Sequence, residues 1–353
     1  MLFFQVNQPL FNLFMKPKIT IKIIAKELGV STSTVSKALR DSHEISHETK
    51  ERIKAYANYY NYRPNNLALQ LRSQKTKVIG IVLPKIVHHF FSTVISGVEK
   101  VANERGYNIM VCFSNEDQQK EIETINVLTN GSVDGLIVSI ATETLRNKEL
   151  SHFYQLISNE VPLVLFDRVH ESIRCDKVIV DDIGAGYKAT KHLLNTQCKK
   201  IGIITTPEHV TVGLDRYQGY ERALKEAGIK VDKSLVINVD EEQDIYTQIK
   251  VLFNQDIDAI FAVNEIYAAI AIRIAKEKGK KIPDDVSIIG FTDGLISEYS
   301  SPSITTVVQH GLTMGEQAAE LLIDQIENAE NQRAPQTKVI SSNIKIRESS
   351  KSL

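Results

Sequence analysis

The sequence lacks the common catalytic signatures: it contains no GxxxxGKS or GxxxxGKT loop, no HExxH and no GxSxG. Gly184-Ala185-Gly186 is a lone GxG and carries little weight. An enzyme is not expected, and no cofactor is implied. Cysteine is scarce. Cys112, Cys175 and Cys198 form no CxxC pair and leave an odd count, which excludes a disulfide framework and a thiolate zinc site. They suit a reducing cytoplasm as small apolar fillers. The adjacent His88 and His89 lack a supporting set of cysteines or carboxylates, so no metal site is expected. No apolar run approaches the ~20 residues of a membrane span, and a soluble chain is expected.

Charge is absent from residues 1–15, and Met1 to Phe14 is largely apolar. That segment has neither the basic beginning nor the small-residue cleavage site of a secretion signal. Met15-Lys16-Pro17 instead suggests that translation starts at Met15 and that the preceding residues are an extension. The net charge of −1 hides an asymmetry. Residues 16–75 carry twelve Lys/Arg against five Asp/Glu, a net of +7, and the rest of the chain carries −8. A basic head on an acidic body points to a polyanion met by the head alone. At 353 residues the chain holds two or three domains. It is expected to divide into a head over 16–63, a linker over 64–76 and a body over 77–353.

In the head, Thr20 caps a helix whose apolar residues Ile21, Ile24, Ala25 and Leu28 recur at helical spacing. Gly29 supplies the positive φ of a tight turn, Val30 plugs the corner, and Ser31 caps a second helix with Val35, Ala38 and Leu39 inward. The outer face of that helix is Thr32, Ser33, Thr34, Ser36, Lys37 and Arg40, donors without a single acid. Such a face suits base edges and phosphates in a major groove. A third helix, capped by Ser46, closes the small core with Ile45, Ile53 and Tyr56. Asn65–Arg72 is a run of good helix formers too short to be stable alone.

From Lys77 onward, β-branched runs alternate with helical stretches: Val78–Leu83, Asn108–Phe113, Gly135–Ile140, Leu163–Phe166, Lys177–Val180, Ile201–Thr205, Ala259–Val263 and Val286–Phe291. Amphipathic segments such as Phe91–Arg105 and Gly219–Ala227 lie between them. The pattern predicts an α/β body of doubly wound parallel sheets, two rather than one, with a ligand cleft where strand ends face each other. His88-His89-Phe90-Phe91, Asp167-Arg168, Asp215-Arg216, Asn264-Glu265 and Thr292-Asp293 follow strands or open helices. Aromatic rings beside amide, guanidinium and carboxylate groups suit a polyhydroxylated small molecule.

These residues carry a resemblance. Thr20-Ile21-Lys22, Gly29-Val30-Ser31, Thr34-Val35-Ser36, Tyr62-Arg63-Pro64-Asn65 and Ala68 with Leu71, in that order, resemble the DNA-binding head of the LacI/GalR family. Phe90-Phe91, Gly97-Val98-Glu99, Arg105-Gly106-Tyr107, Arg216-Tyr217-Gln218-Gly219-Tyr220, Gly290-Phe291 and Pro302 with Thr305-Thr306-Val307 are similar to the periplasmic-binding-protein-like body of the same regulators. The resemblance implies a homodimeric, cytoplasmic transcription regulator, a repressor of carbohydrate uptake or breakdown genes, on a pseudo-palindromic double-stranded operator and under a small-molecule effector. It implies that Thr32 and Ser33 read bases, Lys37 reaches along the groove, and Thr20, Thr34 and Ser36 fix phosphates. Leu71, flanked by Arg72 in a hinge that Asn65 opens, would wedge into the minor groove. Phe90, Phe91, Asp167, Arg216, Asn264 and Asp293 would line the effector site. Lys37, Arg72, Glu265 and Thr292 depart from residues frequent in the family. A transport solute-binding protein would need only the body, and a sugar-modifying enzyme would need a nucleophile or acid/base pair; the basic head favours the regulator.

Overall fold

A computed structural model describes residues 19–62, 75–85, 89–330 and 333–352, which fall into two compact units divided between Lys75 and Thr76. The extension before Met15 and the hinge expected at Asn65, Leu71 and Arg72 lie outside the described residues.

The described residues of the first unit form three helices: α1 (Ile21–Leu28), α2 (Thr32–Leu39) and α3 (His47–Tyr59). Each start is set by a hydroxyl. Thr20, Ser31 and Ser46 accept from the backbone N–H three residues on, satisfying donors that a helix leaves open. Gly29, at φ 67°, ends α1 in the left-handed region and lets α2 turn away. Ile24, Ala25, Val35, Ala38, Ile53 and Ala57 form the buried centre, with Ile45 and Tyr56 partly buried around it.

The described residues of the second unit form two sheets of six strands each, the architecture expected from the alternation. In the first lobe are β1 (Val78–Leu83), β2 (Asn108–Phe113), β3 (Gly135–Val138), β4 (Leu163–Phe166), β5 (Asp176–Val180) and, late in the chain, β11 (Thr337–Ile340). The second lobe has β6 (Ile201–Thr205), β7 (Val236–Asn238), β8 (Ala259–Ala262), β9 (Ser287–Phe291), β10 (Thr305–Val308) and β12 (Asn343–Lys345). The strand orders β11-β5-β4-β3-β1-β2 and β12-β10-β9-β8-β6-β7 repeat one plan. All pairings are parallel except β10 with β12. β1 and β6 each sit between the next two strands, so the winding reverses there and opens a crevice at the strand ends.

The intervening helices are α4 (His89–Glu104), α5 (Gln118–Thr129), α6 (Thr142–Asn147), α7 (Ser151–Ser158), α8 (Asp182–Asn195), α9 (Thr211–Glu226), α10 (Ile245–Leu252), α11 (Glu265–Glu277), α12 (Leu295–Tyr299) and α13 (Gly311–Glu327). The chain passes between the lobes three times: from β5 into α8, from β10 into α13, and from β11 to β12. α13 thus returns to pack on α4 and the first sheet.

Three differences from the sequence reading have physical causes. α9 starts at Thr211, eight residues before the expected Gly219, because its opening has no capping side chain and includes Gly213. β7, β11 and β12 were not expected: they are short edge strands with exposed residues and no continuous apolar run. β10 is fully buried over Thr305–Val307, but two of those three residues are threonines, so it carries a weak hydrophobic signal.

Two helix crossings fix the geometry of the cleft. At α8 and α9, a Cβ on Gly186 would lie 2.2 Å from the Arg216 carbonyl oxygen, and one on Gly219 would lie 2.1 Å from that of Ile183. Only glycine permits this backbone approach, which brings Asp182 of α8 beside Arg216 of α9. Gly97 and Gly315 allow the same approach between α4 and α13.

Candidate functional site

In the head, Thr32 and Ser33 stand exposed at the N-terminal end of α2, and Thr20 is exposed at the start of α1. The remaining predicted contacts are engaged locally. Thr34 Oγ1 and Ser31 Oγ are 2.9 Å apart, and Ser36 Oγ accepts from Arg40 Nη2 at 3.1 Å. Lys37 pairs with Glu44 from the loop after α2. The outer face is acid-free along the helix itself, but the loop supplies a carboxylate that sequence spacing did not reveal. Such a half-exposed pair is weak, worth about 0–1 kcal/mol, and yields readily to a phosphate.

In the body, the strand ends of the two lobes enclose a cleft with an inner and an outer chamber. The inner chamber, about 70 Å³, is lined by Phe90, Phe91, Asp167, Arg216 and Asn264 together with Thr292 and Gln309. Phe90 and Phe91 come from the first turn of α4, with ring centroids 5.3 Å apart, and Phe91 meets Phe166 edge-on. They belong to the first lobe's core and the chamber wall at once. Asn264 caps α11 by accepting from the Tyr267 N–H at 2.8 Å.

Arg216 is buried. Its Nε donates to Asp182 Oδ1 at 2.7 Å, its Nη1 donates to the Val263 carbonyl at 2.8 Å, and its guanidinium lies 3.7 Å from the centre of the Phe291 ring. Burial pushes the Asp182 carboxyl up to about 6; Arg216 opposes the rise, while Asp167 and Asp215 add to it.

The outer chamber, about 400 Å³, is lined by charged groups from both lobes. Arg168 Nη1 donates to both Glu116 oxygens, at 2.9 and 2.7 Å, and to Thr142 Oγ1 at 3.0 Å. Burial works to raise the Glu116 carboxyl, but the Arg168 charge and hydrogen bonds from Arg168 and Thr142 hold it below the usual range. Across the gap, Lys85 lies 3.5 Å from Glu241, Arg146 lies 4.0 Å from Glu242, and Arg146 Nε donates to His209 Nε2 at 3.4 Å. Tyr267 donates to Glu241 at 3.1 Å. Thr292 holds φ at 83°, a strained conformation for a β-branched residue, and its hydroxyl donates to Gln309 at 2.7 Å.

Residues 20–65 match the family model for bacterial regulatory proteins of the lacI family, and residues 190–350 match the periplasmic binding protein-like domain. The HTH-type transcriptional regulator DegA of Bacillus subtilis is 33% identical over 300 residues, covering 84% of this chain and 88% of that protein. The chain belongs to the LacI family. The HTH-type transcriptional repressor PurR of Vibrio atlanticus is 32% identical over 319 residues, covering 89% of this chain and 94% of its own. A solved transcriptional regulator CelR-cellobiose complex superposes with a TM-score of 0.70 at 26% identity, over 95% of this chain and 100% of that one. These LacI-family relatives carry the names of transcription regulators, a non-enzymatic role.

Within this LacI-family chain, five of the six effector residues expected from sequence meet at the inner chamber. Asp293 stands apart: Arg347 and Lys345 hold its carboxylate, and it faces an adjoining cavity of about 180 Å³ with His89 and His310. Arg168, noted in the sequence beside Asp167 at a strand end, lines both chambers, whereas Glu116, Thr142, Thr206 and Glu241 carried no expected role. A signal existed for Glu116 and Thr206, which follow β2 and β6 as closely as the chosen residues follow their strands; Glu241 follows β7, an edge strand that the sequence pattern does not mark. No helix among the described residues is long and apolar enough to cross a membrane.

Proposed function

We propose that this LacI-family regulator is a cytoplasmic, homodimeric repressor whose grip on a pseudo-palindromic operator is set by a carbohydrate or a related polyhydroxylated effector. The observation that carries the reading is the two-chambered cleft, in which aromatic rings at the inner end adjoin hydrogen-bonding groups drawn from both lobes. Rings cover the apolar CH faces of a sugar, and paired polar groups meet its hydroxyls. The cellobiose held by the similar CelR structure supports the assignment.

Thr32 and Ser33 read base edges, Lys37 exchanges Glu44 for DNA, and Thr20, Thr34 and Ser36 meet phosphates. Leu71 and its neighbours Asn65 and Arg72 act at the hinge. One reading helix spans too few base pairs for useful specificity, which favours two copies on two half-sites about one helical turn apart. An effector touching Phe90 and Phe91 on one lobe and Asn264 on the other favours one lobe arrangement through its differential affinity, and only that difference moves the equilibrium.

Gel shifts on genomic fragments, with and without effectors found by thermal shift among sugars, sugar acids, sugar phosphates and purines, test the reading. Salt-dependent binding to a two-fold site, altered by one of these compounds, is expected. Failure to bind any duplex removes the regulator, and a footprint over a single half-site removes the dimer.

A further inference from the structure

The two chambers share a waist formed by Arg168, Thr206, Val210 and Glu241. Small-molecule sites run to about 300–1,000 Å³. The inner chamber, at about 70 Å³, falls short, and the outer, at about 400 Å³, does not. A ligand of ordinary size at the aromatic end therefore extends beyond it, and the waist is where it enters the larger chamber.

Two buried polar atoms there have no hydrogen-bond partner among the described residues: Arg168 Nε and Thr206 Oγ1. The Thr206 hydroxyl is pressed over Gly213, where a Cβ would come within 1.8 Å of it. Buried donors almost always have acceptors, and two unmet ones in one wall mark the place where something else supplies an oxygen. The charge of that oxygen is constrained by its surroundings. Arg168 already faces Glu116, and Asp167 and Glu241 act on the same guanidinium. The outer chamber as a whole sets six carboxylates against three cationic side chains, Lys85, Arg146 and Arg168. A further anion enters against that excess, whereas a neutral acceptor does not.

Building on the effector-cleft reading, we propose that Arg168 Nε and Thr206 Oγ1 seat a neutral hydroxyl or carbonyl oxygen of the effector. Glu116, by consuming the charge of Arg168, turns away the phosphorylated form of the same compound. The waist thereby sets effector class, while the rings at the inner end supply general affinity.

The test titrates the full chain by calorimetry with glucose, ribose, cellobiose and inosine, each beside its phosphate ester. At least one neutral member binds about tenfold or more tightly than its ester. Arg168→Lys keeps a cation for Glu116 but deletes the Nε donor, and Thr206→Val deletes the hydroxyl at nearly constant volume. Each lowers affinity for the neutral member about tenfold, with thermal unfolding of the free protein confirming that the fold is intact. Glu116→Gln narrows or reverses the preference against the ester, a gain that misfolding cannot mimic. Tighter binding of an ester by the unaltered protein, or unchanged neutral binding in both waist variants, overturns the proposal and leaves the effector cleft standing. Binding of no member overturns both.

Discussion

Arg216→Ala removes the counter-ion of a buried carboxylate. Asp182 is enclosed, and even with Arg216 at 2.7 Å its carboxyl is pushed up to about 6 by burial. Removing one partner of a buried pair costs about 3–5 kcal/mol because the other charge is left uncompensated. The variant should therefore unfold roughly 6–20 °C below the parent, at roughly 2–4 °C per kcal/mol. The pH dependence gives the sharper signature. A carboxyl whose folded value lies above its unfolded one holds a proton that the unfolded chain has released. Its contribution to stability therefore falls as pH rises between those values, here from about 3.8 to about 6, by about 3 kcal/mol in all. Without Arg216 the folded value rises further, so the deficit of the variant should grow between pH 5.5 and pH 8. Urea unfolding monitored by circular dichroism at both pH values measures this. Asp182→Asn in the same background should recover most of the loss and flatten the pH dependence. Operator binding should survive wherever the protein is folded, while its response to effector disappears, since Arg216 also anchors the Val263 carbonyl beside Asn264. A deficit that is the same at both pH values would refute the reasoning.

Glu44→Gln should strengthen DNA binding a few-fold by freeing Lys37, whereas Lys37→Ala should weaken it; gel shifts across a salt series would show a slope lower by about one if Lys37 meets a phosphate. Thr292→Asn should raise stability by about 1 kcal/mol, because asparagine tolerates a φ of 83° better than a β-branched residue and can keep a bond to Gln309; a lower unfolding midpoint contradicts the strain. Burial, and then Arg146 and Arg168, hold the His209 imidazole below its ordinary value, while Asp240 opposes them. The interlobe contact needs the neutral ring, so effector affinity should fall as pH drops below about 6.5, and His209→Gln should flatten that profile in calorimetry at pH 5.5 and 7.5.

The sequence by itself determined the head and the class of the body. Thr20, Ser31 and Ser46 cap within three residues of themselves, Gly29 turns the chain locally, and the apolar spacing of α1 and α2 is short-range, so each signal is complete within a few positions. The buried parallel strands were legible for the same reason, and the strand-end rule located Phe90, Phe91, Asp167 and Asn264. What only the tertiary structure decided was who meets whom. Glu116 and Arg168 are 52 residues apart, Asp182 and Arg216 are 34, and Asp293 and Arg347 are 54, and no local pattern encodes such pairs. The glycine contacts at Gly186 and Gly219 draw α8 and α9 close enough to bury one ion pair. The three crossings between the lobes bring the ends of two sheets together to form the cleft. A partner's charge decides whether a side chain near a strand end keeps its own charge or spends it, as Arg168 does on Glu116 and Asp293 on Arg347. That charge is set by packing, which a linear pattern does not contain.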